Sequence, residues 1–140
     1  MKGFDQLLQE DIGKYEGRHD DLIFQAPAFY RLFTNLLDDP RLPLKRRPLV
    51  LAVIAYFVLP ADIIPESLEG PYGYIDDIWL CAFVASKLQE ECGKELLLEN
   101  WDGEAPLPPL MDDLLKQEKE ILGEKKSLVL KYIGFDQLII

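Results

Sequence analysis

One histidine, two cysteines, two methionines and two tryptophans are all that 140 residues contain of those types. Each scarcity narrows the chemistry. The lone histidine, His19, lies in a polar stretch and cannot supply a His-x-x-x-His pair, so zinc held through nitrogen is not expected. No serine has a histidine close by, and no glycine-rich phosphate loop occurs. An enzyme is therefore the weakest of the functional readings. Cys81 and Cys92, if carried on one helix, share a face about 16 Å apart, too far for a disulfide. Both read as small core hydrophobes in a reducing compartment. No apolar run follows Met1-Lys2-Gly3-Phe4, so no secretory signal is expected. The expected location is the cytoplasm or a cytoplasm-facing membrane surface.

Positive charge is also short. Fifteen basic residues stand against 25 acidic ones, giving a net charge of −10. A surface that tracks phosphates needs clustered Lys and Arg, so nucleic acid is not an expected partner. Long apolar runs are short as well. The chain is uncharged from Leu49 to Ala61, about 13 residues where a bilayer span needs roughly 20. That leaves a buried core helix as the leading reading and a hairpin dipping into lipid as the alternative.

What is present is helical spacing over a length that suits one domain, 1–140, with about 70% of the unfolded surface to bury. Phe4, Leu7, Leu8, Ile12 and Tyr15 make one stripe. A second helix is expected from Pro27, with Phe29, Tyr30, Leu32, Phe33, Leu36 and Leu37 on a broad face, ending at Asp38-Asp39-Pro40. A third runs from about Leu44 to Leu59 and is apolar all round. Pro60, Pro65, Pro71, Gly70 and Gly73 then break the chain. A fourth starts near Asp76 and carries Ile78, Trp79, Leu80, Phe83, Val84 and Leu88. The short connection predicts that the third and fourth form an antiparallel hairpin. Leu96 to Leu98 continue the fourth or form a further turn after Gly93. Gly103, Pro106, Pro108 and Pro109 mark a linker. A fifth helix is expected from Pro109 to Leu122, and a last segment from Glu124 to Ile133. The apolar tail, 135–140, is expected to dock on the body or on a partner. No strand pattern survives. The fold class is thus all-α, about five helices around a central apolar antiparallel helical hairpin. The echo of Gly3-Phe4-Asp5-Gln6-Leu7 in Gly134-Phe135-Asp136-Gln137-Leu138 is too short for a repeat architecture.

Residues 36–85 carry a recognisable pattern. Asp39-Pro40-Arg41 with Pro43 precedes the apolar helix. Tyr56 then leads to Pro60-Ala61-Asp62-Ile63-Ile64-Pro65-Glu66 and Gly73-Tyr74-Ile75-Asp76-Asp77. This pattern resembles the YkvA-like family of small bacterial and archaeal proteins, a domain without an assigned function. The Pro-x-Asp-x-Ile-Pro and Gly-x-x-Asp-Asp motifs carry the likeness. The chain departs from the family in having Glu66 where Asp is usual, and in a more polar loop, Glu69-Gly70-Pro71-Tyr72. Some family members are predicted to be membrane proteins, so the resemblance admits membrane association here.

Asp62, Glu66, Asp76 and Asp77 flank the turn between the two apolar helices. Two readings of them are open. A carboxylate in the first turn of a helix accepts backbone N–H bonds and complements the macrodipole, which is the preferred, structural role. The same four groups, if they converge, suit a hard cation such as Mg²⁺ or Ca²⁺. No other cofactor is expected. Lys45-Arg46-Arg47 likewise has two readings, a solvated first turn or a basic anchor at a membrane edge. The functional expectation is a non-enzymatic module that binds a protein partner or a second copy through a body locked by the acidic turn. The alternatives are a membrane-associated protein with an inserted hairpin, and a divalent-metal protein or enzyme using the four carboxylates.

Overall fold

Apolar residues at helical spacing build every element of the structure. It is a computed structural model in which residues 6, 20–58, 74–123 and 125–139 are described. Among the described residues there is no strand, so the chain is all-α. A short turn of helix, α1 (Asp20–Ile23), leads into α2 (Ala26–Asp38), which has Pro27 in its first turn as expected. A single 3₁₀ turn (Leu44–Arg46) opens directly into α3 (Arg47–Val58). After the intervening residues, α4 (Tyr74–Cys92) is the long central helix.

Gly93 adopts φ 91° and ends α4, so the leucines at 96–98 belong to a separate helix, α5 (Lys94–Asn100). The expected single helix from Pro109 to Leu122 is two. Helix α6 (Leu107–Lys116) and helix α7 (Glu118–Leu122) meet at Gln117, whose N–H turns back onto the Asp113 and Leu115 carbonyls. The last segment is α8 (Lys126–Ile133), stopped by left-handed Gly134 at φ 72°. Beyond it the tail forms α9 (Phe135–Leu138). It docks on the body. Phe135 is buried, and its ring meets that of Phe83 edge-on at 5.3 Å. The second Gly-Phe-Asp-Gln-Leu copy is therefore a helix stop followed by a docked turn; of the first copy only Gln6 is among the described residues.

Helix α4 is the spine. It packs against α1, α2, α3, α5, α6 and α7. Ile78, Trp79, Leu80, Cys81, Ala82, Val84, Ala85 and Leu88 are all fully buried along it. Helix α2 lies across α3, α4 and α5 through Phe29, Leu32, Phe33 and Leu36. The hairpin is antiparallel. Arg46, just before α3, pairs with Glu91 in the last turn of α4, so the start of one helix meets the end of the other. The proline-broken connection between them, 59–73, called the hinge for its place in the sequence, lies outside the described residues.

Candidate functional site

The sequence points to four carboxylates, and the structure places one of them fully. Asp77 lies in the described beginning of α4 at 0% exposure, beside the fully buried Ile78 and Trp79. Asp62 and Glu66 lie outside the described residues, and so does the side chain of Asp76. Among the described residues no group of three or more His, Cys, Asp or Glu side chains could hold a metal ion.

Asp77 acts on a neighbouring thiol. Cys81 stands one turn further along the same buried face of α4. Burial pushes its thiol well above the ordinary range, and the Asp77 charge adds to the shift. Such a thiol is inert, in line with its placement in an apolar run. Cys92, half-buried at the end of α4, is raised by burial and then by Glu91, against the opposing pull of Arg46 and Lys45. Both cysteines are free thiols. Trp79 is fully buried and stacks on Phe83, centroids 5.1 Å apart and planes at 17°. Among the described residues its Nε1 has no hydrogen-bond partner.

Lys45-Arg46-Arg47 does not act as one unit. A run of three basic residues is neither uniformly solvated nor uniformly available as an anchor, because Arg46 points inward. Its side chain is 5% exposed. Nε donates to both oxygens of Glu91 at 2.9 and 3.0 Å, and Nη1 donates to the Leu138 carbonyl at 3.0 Å. One guanidinium thus joins the start of α3, the end of α4 and the C-terminal turn α9. Burying a guanidinium is costly unless it is paired and hydrogen-bonded, and here it is both. No period in the sequence marks Arg46 as different from its neighbours.

The signature residues Asp39-Pro40-Arg41 also turn out to be a lock. The Asp39 carboxylate accepts from Arg41 Nε, Nη2 and backbone N, at 3.1, 2.8 and 2.9 Å, and from Asn100 Nδ2 at 2.9 Å. Arg41 Nη1 donates to Glu99 at 2.9 Å, and Asn35 Nδ2 to the Asn100 carbonyl at 3.2 Å. The end of α2 is thereby tied to the end of α5. The Arg41 guanidinium, with Asn100 behind it, holds the Asp39 carboxyl well below the usual carboxylate range.

What remains on the outside is the far face of α3. Leu49, Val50, Val53, Tyr56 and Phe57 point into the core. The opposite face carries Pro48, Leu51 and Ala55, spaced so that they fall on one side of the helix, and Leu44 precedes them in the 3₁₀ turn. All four are exposed, Leu44 at 81% and Leu51 at 50%. Lys45, in the 3₁₀ turn, and Arg47, at the first position of α3, stand at the N-terminal end of this stripe. Lys45 is exposed and Arg47 half-exposed, and neither is in an ion pair among the described residues. The whole stretch 40–61 contains no acidic residue, in a chain with 25 of them. Of its four cations, Arg41 and Arg46 are neutralised by the locks just described.

No helix among the described residues is long and apolar enough to cross a membrane. The inward faces of α3 and α4 are consumed by packing on each other and on α2, so the hairpin does not offer a free apolar surface all round.

Fold and site together define a small all-α domain built on an antiparallel apolar hairpin, with polar locks at the helix ends. Residues 46–83, from Arg46 through the hinge to Phe83, match a family described as a protein of unknown function (DUF1232). The chain is also 31% identical over 131 residues to "Uncharacterized protein ORF9" of Methanothermobacter thermautotrophicus, covering 94% of this chain and 90% of that protein. The chain belongs to this family, and its YkvA-like motifs agree with that membership. No solved structure matches it.

Proposed function

We propose that the protein is a non-enzymatic interaction module whose binding surface is the outer face of α3. The observation that carries this reading is the exposed stripe Leu44, Pro48, Leu51 and Ala55. Single exposed leucines are ordinary on any surface. Four apolar positions along one side of α3 and the turn before it, free of acid in an acidic protein, are less so, because contiguous apolar patches tend to mark interaction sites. The catalytic alternative has less behind it. Cys81 is buried with a raised thiol, and Asp77 is sealed in the body.

The test is a photo-crosslinking amino acid placed at position 51, with the same group at Leu128 as reference. Leu128 is equally exposed, at 53%, but lies on α8. Adducts formed in cells at position 51 and not at 128 are the expected result. Equal labelling at the two positions would remove the proposal.

A second reading keeps the acidic turn as a cation site built from Asp62, Glu66, Asp76 and Asp77. What favours it is Asp77, a carboxylate at zero exposure next to the hinge. Calorimetric titration of Mg²⁺ and Ca²⁺ into the protein and into Asp62→Asn separates it from a purely structural role. Heat that disappears in the variant is expected of a site; no heat in either is expected of a cap.

A further inference from the structure

We infer that the outer face of α3 docks on an anionic phospholipid surface, lying in the interface without crossing it. This rests on the reading of that face as the binding surface. Three features of the face suit lipid. It is one side of α3 with exposed apolar residues, Pro48, Leu51 and Ala55, preceded by the exposed Leu44 of the 3₁₀ turn. Two cations stand at its N-terminal end, Lys45 and Arg47, and neither is spent on an ion pair among the described residues. No acid occurs anywhere from 40 to 61. That is the arrangement of an interfacial helix, whose apolar side enters the headgroup boundary while flanking cations meet lipid phosphates.

The net charge of −10 does not overrule this. Screening confines electrostatic contact to about 8 Å at physiological salt, less than one helix diameter. A bilayer against α3 therefore senses Lys45 and Arg47 more strongly than acids beyond that distance, and Glu91, which lies at the same corner, is paired with Arg46. The same argument disfavours a second copy. Two such faces brought together would add cation to cation unless they ran antiparallel, and the acids that could answer Lys45 and Arg47 are absent from the stretch.

The experiment is vesicle co-sedimentation of the full chain, with phosphatidylcholine vesicles and with phosphatidylserine mixed into them, at low and at high salt. The expected result is preference for the mixed vesicles that fades with salt. Lys45→Glu reverses a charge at the stripe's edge and should weaken binding about tenfold or more. Leu51→Asp should weaken it at least as much. Leu128→Asp, on α8, should bind like the parent chain. Unchanged melting curves for the three variants establish that lost binding is not lost folding. No pelleting with either vesicle, or equal pelleting with both, overturns the lipid assignment. So does a dimer in sedimentation velocity that Leu51→Asp dissolves, or an acidic polypeptide such as polyglutamate binding where vesicles do not. If those results come with position-51 crosslinks intact, the lipid inference falls while the binding face stands. If the crosslinks are also lost, both fall.

Discussion

Replacing Arg46 with alanine should be among the most damaging single changes outside the apolar core. The substitution removes the Nε contacts to both Glu91 oxygens and the Nη1 contact to the Leu138 carbonyl, and it empties the space of a side chain that is 5% exposed. Removing one partner of a buried ion pair costs about 3–5 kcal/mol. Glu91 is 31% exposed and regains water, so the loss falls below that range. About 2–3 kcal/mol is expected, also the scale of losing a charge-assisted hydrogen bond with its packing. For a domain of this size that corresponds to a fall in Tm of roughly 10 °C. Thermal unfolding of the parent, Arg46→Ala, Glu91→Gln and the double variant measures the loss and the coupling together. Amide exchange adds a local readout. The α9 amides, Leu138 bonding Gly134 O and Ile139 bonding Phe135 O, should lose protection before those of α4. Arg31→Ala is the comparison. Its pair with Asp102 is on the surface, so a loss below about 1 kcal/mol is expected there. If Arg46→Ala costs no more than Arg31→Ala and leaves α9 protection intact, the three-element clamp is refuted.

The other expectations concern the surface lock, the thiols and the two faces of α3. The folded pKa of Asp39 is depressed, so its stabilisation is present above the unfolded carboxylate value of about 3.9 and is lost as pH falls through the folded value. Asp39→Asn should therefore lower Tm at neutral pH and flatten the acid limb of a Tm–pH profile; identical acid limbs would speak against the lock. In native protein at mildly alkaline pH, Cys81 should resist alkylation until unfolding while Cys92 reacts slowly, because Cys81 is sealed and Cys92 is half-exposed. Mass-mapped modification of Cys81 in the folded state would contradict its placement. Val53→Asp, which buries an unpaired charge, should cost over about 4 kcal/mol or prevent folding, whereas Leu51→Asp two residues earlier should stay within about 1 kcal/mol. Chemical denaturation tells them apart, and similar costs at 51 and 53 would mean the outer face is packed.

Much of the fold was legible because it rests on signals the backbone imposes locally. Pro27 marks the start of α2, Gly93 and Gly134 stop α4 and α8, and the alternation of Phe29, Leu32, Phe33 and Leu36 sets the buried side of α2. The break at Gln117 escaped because it carries no glycine or proline and interrupts no apolar period. The exposed face of α3 escaped for a different reason. Helix α3 is apolar all round, so periodicity cannot say which side the core takes, and only the packing of α2 and α4 against Leu49, Val50, Val53 and Tyr56 leaves Leu44 and Leu51 outside. Arg46 was equally hidden. Its partners, Glu91 and the Leu138 carbonyl, are 45 and 92 residues away. Charge in sequence says nothing about which of three adjacent cations folds inward. The four hinge carboxylates were conspicuous from composition alone, yet only Asp77 among them is placed, in the body and not on the surface.

The central claim is that α3 keeps one apolar face for something outside the chain. Hydroxyl-radical footprinting, read by mass spectrometry at Leu44 and Leu51, tests it most directly. The purified protein should be oxidised at both positions, as their exposure demands, and the same positions should be protected in intact cells while Leu128 is oxidised alike in both. Equal oxidation of Leu44 and Leu51 inside and outside the cell would contradict it.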